Sequence, residues 1–262
     1  MAPERSELDI TRPADIPAAI EKHRPELVIN CAAFHNVPLC EEKPEEAFRA
    51  NCVAVRDLAR ACAAADVRLI TFSSDYVFGG DKRTPYAEDD LPHPLQVYGI
   101  TRLAGENAAM AMAPRHAIVV RTCGLYGKSG AKSKGGNFVD GRVADGRAGK
   151  TIEMAAEQVV APTATHDLSL AVLKLAEHPG AKPGLYHLVN EGQCSWYELT
   201  KAIVEILRLP AKVVPVDRGG VTGGMRRPLY SVMANTRARA LGITLRPWRD
   251  ALTHYLQDKY AG

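Results

Sequence analysis

Short apolar runs and longer amphipathic stretches alternate along the first half of the chain. Three runs, at residues 27–31, 67–72 and 117–121, are almost continuously apolar. Such runs are typical of parallel strands that are covered on both faces. The Ala-rich stretches around them predict helices at residues 14–23, 44–65 and 99–112. This alternation predicts an α/β fold with a doubly wound parallel sheet of the Rossmann type.

The second half of the chain has a different pattern. A basic, glycine-rich segment at residues 128–137 predicts a flexible loop. The elements predicted beyond it are a short strand near Val159, a helix at 165–178, a strand at 186–189, a helix at 195–207, a strand at 212–216 and a helix at 248–258. Because the composition changes little along the chain, we expect a smaller C-terminal lobe that is interleaved with the main sheet.

The composition is that of an ordinary globular protein, 46% hydrophobic and 24% charged. The net charge of +3 arises from 33 basic and 30 acidic residues spread along the chain, which argues against a nucleic-acid or membrane partner. No apolar run approaches the ~18 residues of a membrane span, and the polar N-terminus does not resemble a signal peptide. The cysteines form no CxxC pair. We therefore expect a cytoplasmic protein with reduced thiols.

Glycine is absent from the first part of the chain, where a Rossmann sheet that binds a dinucleotide needs it. The first glycine is Gly79. A glycine-rich turn normally lets the backbone approach the cofactor pyrophosphate at a helix N-terminus. We therefore expect that about thirty residues, including the first strand of the sheet, are missing before this sequence. Their loss predicts a gap with unpaired buried backbone on both sides, at about 1–3 kcal/mol for each orphan group.

Polar side chains gather where the predicted strands end. Residues 73–76 (Ser-Ser-Asp-Tyr) follow the strand at 67–72, so their side chains lie at the carboxyl end of a parallel strand, where sites form in α/β sheets. Tyr98 and Arg102 begin the next helix, and their i,i+4 spacing places them on one face. Residues 30–33 end the earlier strand with small side chains that permit close approach of a ligand.

The chain resembles the dTDP-4-dehydrorhamnose reductase family of extended short-chain dehydrogenases from about residue 8 to its end. The stretches that carry the resemblance are ELDITRPADI, VINCAAFHNV, FSSDYVFGG, PYAEDDLPHPLQVYGITRLAGE, VVRTCGLYG, GGNF, APTATHDL, YHLVNEG, SWYELTKAI and RRPLYSV. The resemblance implies an NAD(P)-binding domain at 1–123 plus about 156–190, and a substrate-binding lobe at 124–155 and 191–262. It also implies NADPH or NADH as cofactor.

The resemblance further implies roles for individual residues. Tyr98 would protonate the C4 oxygen of the sugar as hydride arrives, Ser74 would hydrogen-bond that oxygen, and Arg102 would stand where the family has lysine. A cation lowers the pKa of a neighbouring phenol from about 10, which suits an acid catalyst. The implied cofactor contacts are Asp9, Ile10, Ala32, Ala33, Asn51, Ser73, Tyr98 and Arg102. The implied substrate contacts are Ser74, Asp75, Tyr76, Tyr98, Asn137 and Arg227.

Two residues depart from the family pattern. Arg102 keeps the positive charge of the lysine, but a planar guanidinium is directed differently, so it would lower the pKa of Tyr98 and miss the ribose of the cofactor. Gly124 stands where the reductases carry a tryptophan beside the sugar, which leaves the identity of the sugar open.

Residues 88–90 form an acidic turn. A magnesium site at a dimer contact is one open interpretation of this turn. A solvated turn is the preferred interpretation of these residues, and no metal ligand is assigned. A homodimer is left open in the same way.

Two functions remain in competition. The favoured one is NAD(P)H-dependent reduction of a dTDP-4-keto-6-deoxy sugar, dTDP-4-dehydrorhamnose to dTDP-L-rhamnose. The alternative is a non-catalytic binding subunit that resembles the regulatory subunit of methionine adenosyltransferase. Arg102, Gly124 and the absent glycine-rich turn favour the alternative, whereas Ser74 and Tyr98 in their expected context favour the reductase.

Overall fold

The structure is a computed structural model, and it describes residues 2–130 and 135–260. Residues 131–134 of the predicted loop at 128–137 lie outside the described ranges. The strands within those ranges are, in chain order, β1 (Leu27–Asn30), β2 (Arg68–Ser74), β3 (Ala117–Thr122), β4 (Thr151–Ala155), β5 (Val159–Val160), β6 (Gly184–His187), β7 (Cys194–Ser195), β8 (Lys212–Val216), β9 (Val221–Thr222) and β10 (Met225–Arg226).

Helices precede, separate and follow these strands. None that the structure describes is both long and apolar enough to cross a membrane. In chain order they are α1 (Asp15–His23), α2 (Val37–Glu42), α3 (Pro44–Phe48), α4 (Ala54–Ala64), α5 (Val97–Met112), α6 (Phe138–Arg147), α7 (Thr165–Glu177), α8 (Trp196–Leu207), α9 (Thr236–Ala240) and α10 (Trp248–Tyr260).

The main sheet is parallel and contains β1, β2, β3 and β6 in that spatial order. Leu27 of β1 lies opposite Arg68 of β2, and Leu69 of β2 lies opposite Ala117 of β3. Helices pack on both faces: Leu69 packs with Val55 of α4, whereas Ile70 packs with Leu175 of α7. Adjacent strand residues point to opposite faces, and each such buried aliphatic side chain contributes about 1.5–3 kcal/mol. The predicted α/β doubly wound fold is confirmed.

The expected gap in the sheet is not found. The four strands of the main sheet follow one another without a break, and β1 forms one edge, hydrogen-bonded to β2. The prediction of unpaired backbone on both sides of a gap was therefore wrong for the described part of the chain. The physical reason is that β2, β3 and β6 all lie on one side of β1, so their ladders close without an intervening strand.

The helix predicted at residues 44–65 is interrupted at its centre. One turn of π-helix at Arg49–Val53 joins α3 to α4. Such turns redirect side chains and are frequent at functional sites. A Cβ at Gly105 of α5 would collide with the carbonyl oxygen of Asn51, so glycine at 105 allows α5 to pack directly on the π-helical turn.

A separate hydrophobic core lies between α6, α8 and α10. Ile203, Leu252 and Leu256 are buried within it, and β4 pairs in parallel with β8 beside it. The sequence pattern did not predict α6, because Gly141 and Gly146 weaken the apolar periodicity of that helix. The division of the chain into two lobes at the predicted boundaries stays a prediction.

Candidate active site

The carboxyl ends of β1, β2 and β3 meet at one edge of the main sheet. Nδ2 of Asn30 donates to Oγ1 of Thr71 at 3.1 Å, and Ser74 lies opposite Thr122. A 3₁₀ turn, Asp75–Val77, follows β2 directly. Ligands of open α/β sheets bind at this edge, so it is where we look for a site.

The first turn of α5 packs against this edge. Oε1 of Gln96 caps the helix by accepting a hydrogen bond from the backbone N–H of Gly99 at 2.7 Å. A Cβ at Gly99 would collide with the carbonyl oxygen of Tyr76, so glycine permits close contact with the 3₁₀ turn. The ring of Tyr98 thereby lies edge-on to that of Tyr76, with the centroids 6.0 Å apart.

Ser74 and Tyr98 are brought together as predicted. The Ser74 side chain is close enough to Tyr98 to lower the pKa of its phenol, and Ser74 is buried at the end of its strand. Burial raises the pKa of Tyr98, while the charge of Arg102 and the hydroxyl of Ser74 lower it. A phenol with a raised pKa keeps its proton at neutral pH, and a nearby cation eases release of that proton.

Arg102 lies one turn further along α5 and is only 6% exposed. Its guanidinium donates to the carbonyl oxygen of Phe72 and, at 3.5 Å, to Oδ1 of Asn51. Within residues 2–130 and 135–260 its Nε has no hydrogen-bond partner, and no carboxylate forms a salt bridge with it. A buried cation without a counter-charge is costly, so Arg102 is a candidate to contact a bound ligand.

A segment from the C-terminal part of the chain reaches the same edge. Nη1 of Arg227 donates to the hydroxyl of Tyr76 at 3.0 Å, and Oγ of Ser231 donates to Oδ2 of Asp75 at 2.6 Å. Tyr76 and Arg227, both predicted substrate contacts, therefore lie together. Sequence reasoning missed Ser231, whose only signal was its place in the stretch RRPLYSV.

Asn51 and the loop after β1 were predicted to line a cofactor cleft. The carboxamide of Asn51 is buried and is bonded to both backbone groups of Phe34, at 2.8 and 2.9 Å, and to Thr101 at 3.0 Å. It therefore fixes the loop after β1 rather than projecting from it. Ala32 is exposed and Ala33 is partly exposed in that loop, where small side chains leave the backbone accessible.

Asp9 and Ile10 lie in the turn before α1. Oδ1 of Asp9 accepts hydrogen bonds from the hydroxyl of Thr11 at 2.7 Å and from its backbone N–H at 2.9 Å. These bonds lower the pKa of Asp9 to about 2. Ile10 packs against the core beneath the sheet. Contact of either residue with an adenine stays a prediction.

Asn137 is the N-cap of α6. Its Oδ1 accepts from the backbone N–H of Asp140 at 3.0 Å, and its Nδ2 donates to the carbonyl oxygen of Gly127 at 2.8 Å and to the hydroxyl of Tyr255 at 3.0 Å. Both the oxygen and the nitrogen of the Asn137 carboxamide therefore form hydrogen bonds within the lobe. Contact of Asn137 with a substrate stays a prediction.

Gly124 adopts a left-handed conformation with φ of +54°. A Cβ at this position would lie 3.2 Å from Cα of Pro162 and 3.5 Å from Cη2 of Trp196. Trp196 packs on Phe138 with ring centroids 4.7 Å apart. The space beside Gly124 is therefore bordered by an aromatic ring that α8 supplies.

The carboxylates of the acidic turn at residues 88–90 do not converge. Glu88 accepts from the backbone N–H groups of His187 and Arg237, and Asp89 pairs with the guanidinium of Arg237. Asp90 pairs with the ammonium of Lys82 at 2.5 Å. No group of three or more His, Cys, Asp or Glu side chains suited to a metal occurs in the described ranges. The open magnesium hypothesis gains no support from this geometry.

The site fits one half of a dinucleotide. Arg102 offers a buried cation, and the hydroxyl of Ser73, 4% exposed, has no hydrogen-bond partner in the part of the chain that the structure describes. Such unpartnered polar groups suit the ribose and amide of a nicotinamide nucleotide. A pyrophosphate needs a glycine-rich turn, and the sequence holds no glycine before Gly79. The residues present therefore match the nicotinamide half and not the pyrophosphate.

Comparison with known proteins identifies relatives over nearly the whole chain. The sequence profile of the RmlD substrate binding domain matches residues 1–261. A dTDP-4-keto-6-deoxy-D-glucose reductase from Streptomyces niveus is 35% identical over 251 residues, covering 95% of this chain and 85% of the relative. A dTDP-4-dehydrorhamnose reductase from Streptomyces griseus is 38% identical over 254 residues, covering 95% and 82%.

A solved structure has the same fold. The crystal structure of dTDP-4-dehydrorhamnose reductase from Bacillus anthracis str. Ames, in complex with NADP, superimposes with a TM-score of 0.90 at 30% identity. The match covers 97% of this chain and 88% of that one.

Proposed function

This chain belongs to the RmlD substrate binding domain family, and from that premise we propose that it reduces a dTDP-linked 4-keto-6-deoxy sugar with NADPH. The substrate is dTDP-4-dehydrorhamnose and the product dTDP-L-rhamnose. One observation carries the proposal: the ring of Tyr98 lies against that of Tyr76, two residues after Ser74 at the carboxyl end of β2, and the buried cation of Arg102 lies one turn further along the same helix.

The chemistry divides between cofactor and protein. NADPH supplies the hydride that adds to C4 of the sugar. Tyr98 transfers its hydroxyl proton to the C4 oxygen, which becomes the new hydroxyl group, and is left as a phenolate. Ser74 holds the same oxygen by a hydrogen bond, and Arg102 stabilises the phenolate by charge. Water then returns a proton to Tyr98.

The remaining residues of the edge bind the two reactants. Arg102 and Ser73 would hold the nicotinamide half of NADPH, against the accessible backbone at Ala32 and Ala33. Tyr76 and Arg227 would contact the nucleotide sugar, since a guanidinium suits a diphosphate. Because NADPH and sugar nucleotides are charged and do not cross a bilayer unaided, we place this activity in the cytoplasm.

The alternative of a non-catalytic binding subunit is not favoured. The relatives reported above are named as reductases, and the chain places Ser74, Tyr98 and the buried Arg102 at the same edge of the main sheet. A subunit that acts by association alone has no need of a phenol with an adjacent buried cation.

The proposed function is tested by product formation. The chain is incubated with dTDP-4-dehydrorhamnose and NADPH, and the sugar nucleotide is analysed by mass spectrometry for the gain of two hydrogens. We expect product with the parent chain and at least about 100-fold less with Tyr98→Phe. Tyr186→Phe, which removes a hydroxyl bonded to the backbone of Lys182, is the matched control and should keep its rate. Absence of product from the parent chain at saturating reactants would contradict the proposal.

A further inference from the structure

The indole of Trp196 reaches the carboxyl edge of the main sheet from the C-terminal part of the chain. Two backbone hydrogen bonds on either side of β5 set its place. The N–H of Trp196 donates to the carbonyl oxygen of Gln158, directly before β5, at 3.4 Å. The N–H of Thr163, which follows β5, donates to the carbonyl oxygen of Gly124 at 3.4 Å. The start of α8 is thereby joined through β5 to the chain that leaves β3.

Gly124 brings this ring close to Ser74. Thr122, the last residue of β3, lies opposite Ser74 on the neighbouring strand, and neighbouring strands are about 4.8 Å apart. Gly124 is two residues, at most about 7 Å of chain, beyond Thr122. A Cβ at Gly124 would lie 3.5 Å from Cη2 of Trp196. The tip of the indole therefore borders the space beside Ser74.

Glycine at position 124 leaves the tip of the indole uncovered. The residue has φ of +54°, a left-handed conformation that favours glycine. A Cβ there would also lie 3.2 Å from Cα of Pro162, which is too close for easy accommodation. A side chain at 124 would fill the space between the indole and the sheet edge, so glycine keeps that space open.

Trp196 and Phe138 form an aromatic wall at this place. Their ring centroids are 4.7 Å apart, and both side chains are partly exposed. Trp196 packs against the core beneath the sheet edge as well as the core between α6, α8 and α10, so its ring is held from behind. Leu125, which follows Gly124, is 43% exposed. A supported ring with one open side suits the C–H face of a sugar or a methyl group.

We propose that Trp196 is a specificity-determining residue, whose indole packs across Gly124 against the ring of the keto sugar and the methyl group at its C6. The inference rests on the proposed function, which brings a 6-deoxy sugar to this edge. A 6-deoxy sugar carries a methyl group where an ordinary hexose carries a hydroxymethyl group. Burial of the additional hydroxyl against an aromatic ring, without a hydrogen-bond partner, disfavours the ordinary hexose by about 10-fold to 100-fold.

The fluorescence of Trp196 reports the contact directly. The chain has two tryptophans, Trp196 and Trp248, so Trp248→Phe leaves Trp196 as the sole indole. This variant is titrated with dTDP-L-rhamnose, the product of the proposed reaction, and with dTDP. We expect dTDP-L-rhamnose to change the emission saturably, and dTDP, which lacks the sugar, to change it far less. Trp196→Phe, which keeps Trp248, is the matched control and should show no sugar-dependent change.

Affinity measured by calorimetry provides the second readout. Trp196→Leu keeps an apolar side chain but loses the ring, so it should raise the Kd of dTDP-L-rhamnose about tenfold and that of dTDP by less than about twofold. Trp248→Leu makes the same change at the other tryptophan, which packs on the same C-terminal core, and should leave both Kd values unchanged.

Two ligands that differ only at C6 test the role of the methyl group. In the parent chain, dTDP-6-deoxyglucose should bind at least about tenfold more tightly than dTDP-glucose, which carries a hydroxyl at C6. Trp196→Leu should reduce this ratio, because the ring that contacts C6 is gone. Equal affinities of the parent chain for the two ligands would contradict the selective role.

Failure of the two proposals can be told apart. If the parent chain reduces the sugar but the emission of Trp196 in Trp248→Phe does not respond to dTDP-L-rhamnose, or Trp196→Leu and Trp248→Leu lose affinity equally, the role of Trp196 is wrong and the reductase stands. If the emission responds as expected and the parent chain makes no product, the sugar contact stands and the reductase is wrong. A parent chain that binds no dTDP sugar in calorimetry would overturn both.

Discussion

Two buried arginines lie on neighbouring elements and have opposite surroundings. Arg121 of β3 makes a two-pronged salt bridge with Glu106 of α5, at 2.9 and 2.6 Å, and both side chains are almost fully buried. Among residues 2–130 and 135–260, the acceptors of Arg102, one turn before Glu106 on α5, are a carbonyl and an amide oxygen. The charge-compensated pair of Arg121 and Glu106 holds α5 against the sheet, although Nη1 of Arg121 has no hydrogen-bond partner in the same ranges. The arginine without a counter-charge leaves charge available to Tyr98 and to a ligand.

The largest expected effect comes from breaking the compensated pair. Glu106→Gln leaves Arg121 buried without a counter-charge, which should lower the free energy of unfolding by about 3–5 kcal/mol. Chemical denaturation measures it. The double variant Glu106→Leu with Arg121→Met removes both charges and should recover most of the loss. A loss below about 1 kcal/mol in Glu106→Gln would show that the pair does not hold α5.

Arg102→Met should have the opposite effect to Glu106→Gln: it should reduce activity and leave stability almost unchanged. No carboxylate is stranded when this charge is removed, so the free energy of unfolding should change by less than about 1 kcal/mol. The value of kcat/KM should fall about 100-fold, because the phenolate of Tyr98 loses its stabilising cation. Denaturation and steady-state kinetics on one preparation separate the two effects. A stability loss as large as that of Glu106→Gln with an unchanged rate would make Arg102 a structural residue.

The sequence predicted the main sheet, and the reason for that success is physical, whereas the roles of the site residues stay predictions. β1, β2 and β3 are covered on both faces, so their apolar runs are visible without any knowledge of their neighbours. The roles of Ser74 and Tyr98 were implied by the family resemblance, and the structure places Ser74 at the last residue of β2 and Tyr98 in the first turn of α5.

Local sequence does not reveal which partner a side chain will meet when that partner is distant along the chain. Asp75 turns inward because Ser231 meets it, and Asn137 is used inside the lobe because Tyr255 reaches it. No local pattern encodes either encounter. The π-helical turn at Arg49–Val53 was missed for a different reason: one wider turn inside an Ala-rich helix barely changes its apolar spacing.

Arg102→Lys should change kcat/KM by a smaller factor than Arg102→Met. The direction of that change is informative. Lysine keeps the charge, lacks the planar fork that donates to Phe72, and has a single flexible ammonium. We expect kcat/KM to rise about threefold to tenfold, as the ammonium becomes free to contact the cofactor ribose. Arg121→Lys is the matched control, and it should reduce stability without raising the rate. No turnover in either the parent chain or Arg102→Lys would favour a binding subunit over a reductase.

The central claim, that the edge beside Arg102 is a nicotinamide site, is tested most directly by a binding titration. The 262-residue chain is titrated with NADPH and with reduced nicotinamide mononucleotide, followed by nicotinamide fluorescence. Both should bind saturably, because both carry the nicotinamide half that Arg102 and Ser73 would hold. Arg102→Met should weaken both. Saturable binding of neither, or of NADPH alone and unaffected by Arg102→Met, would contradict the account.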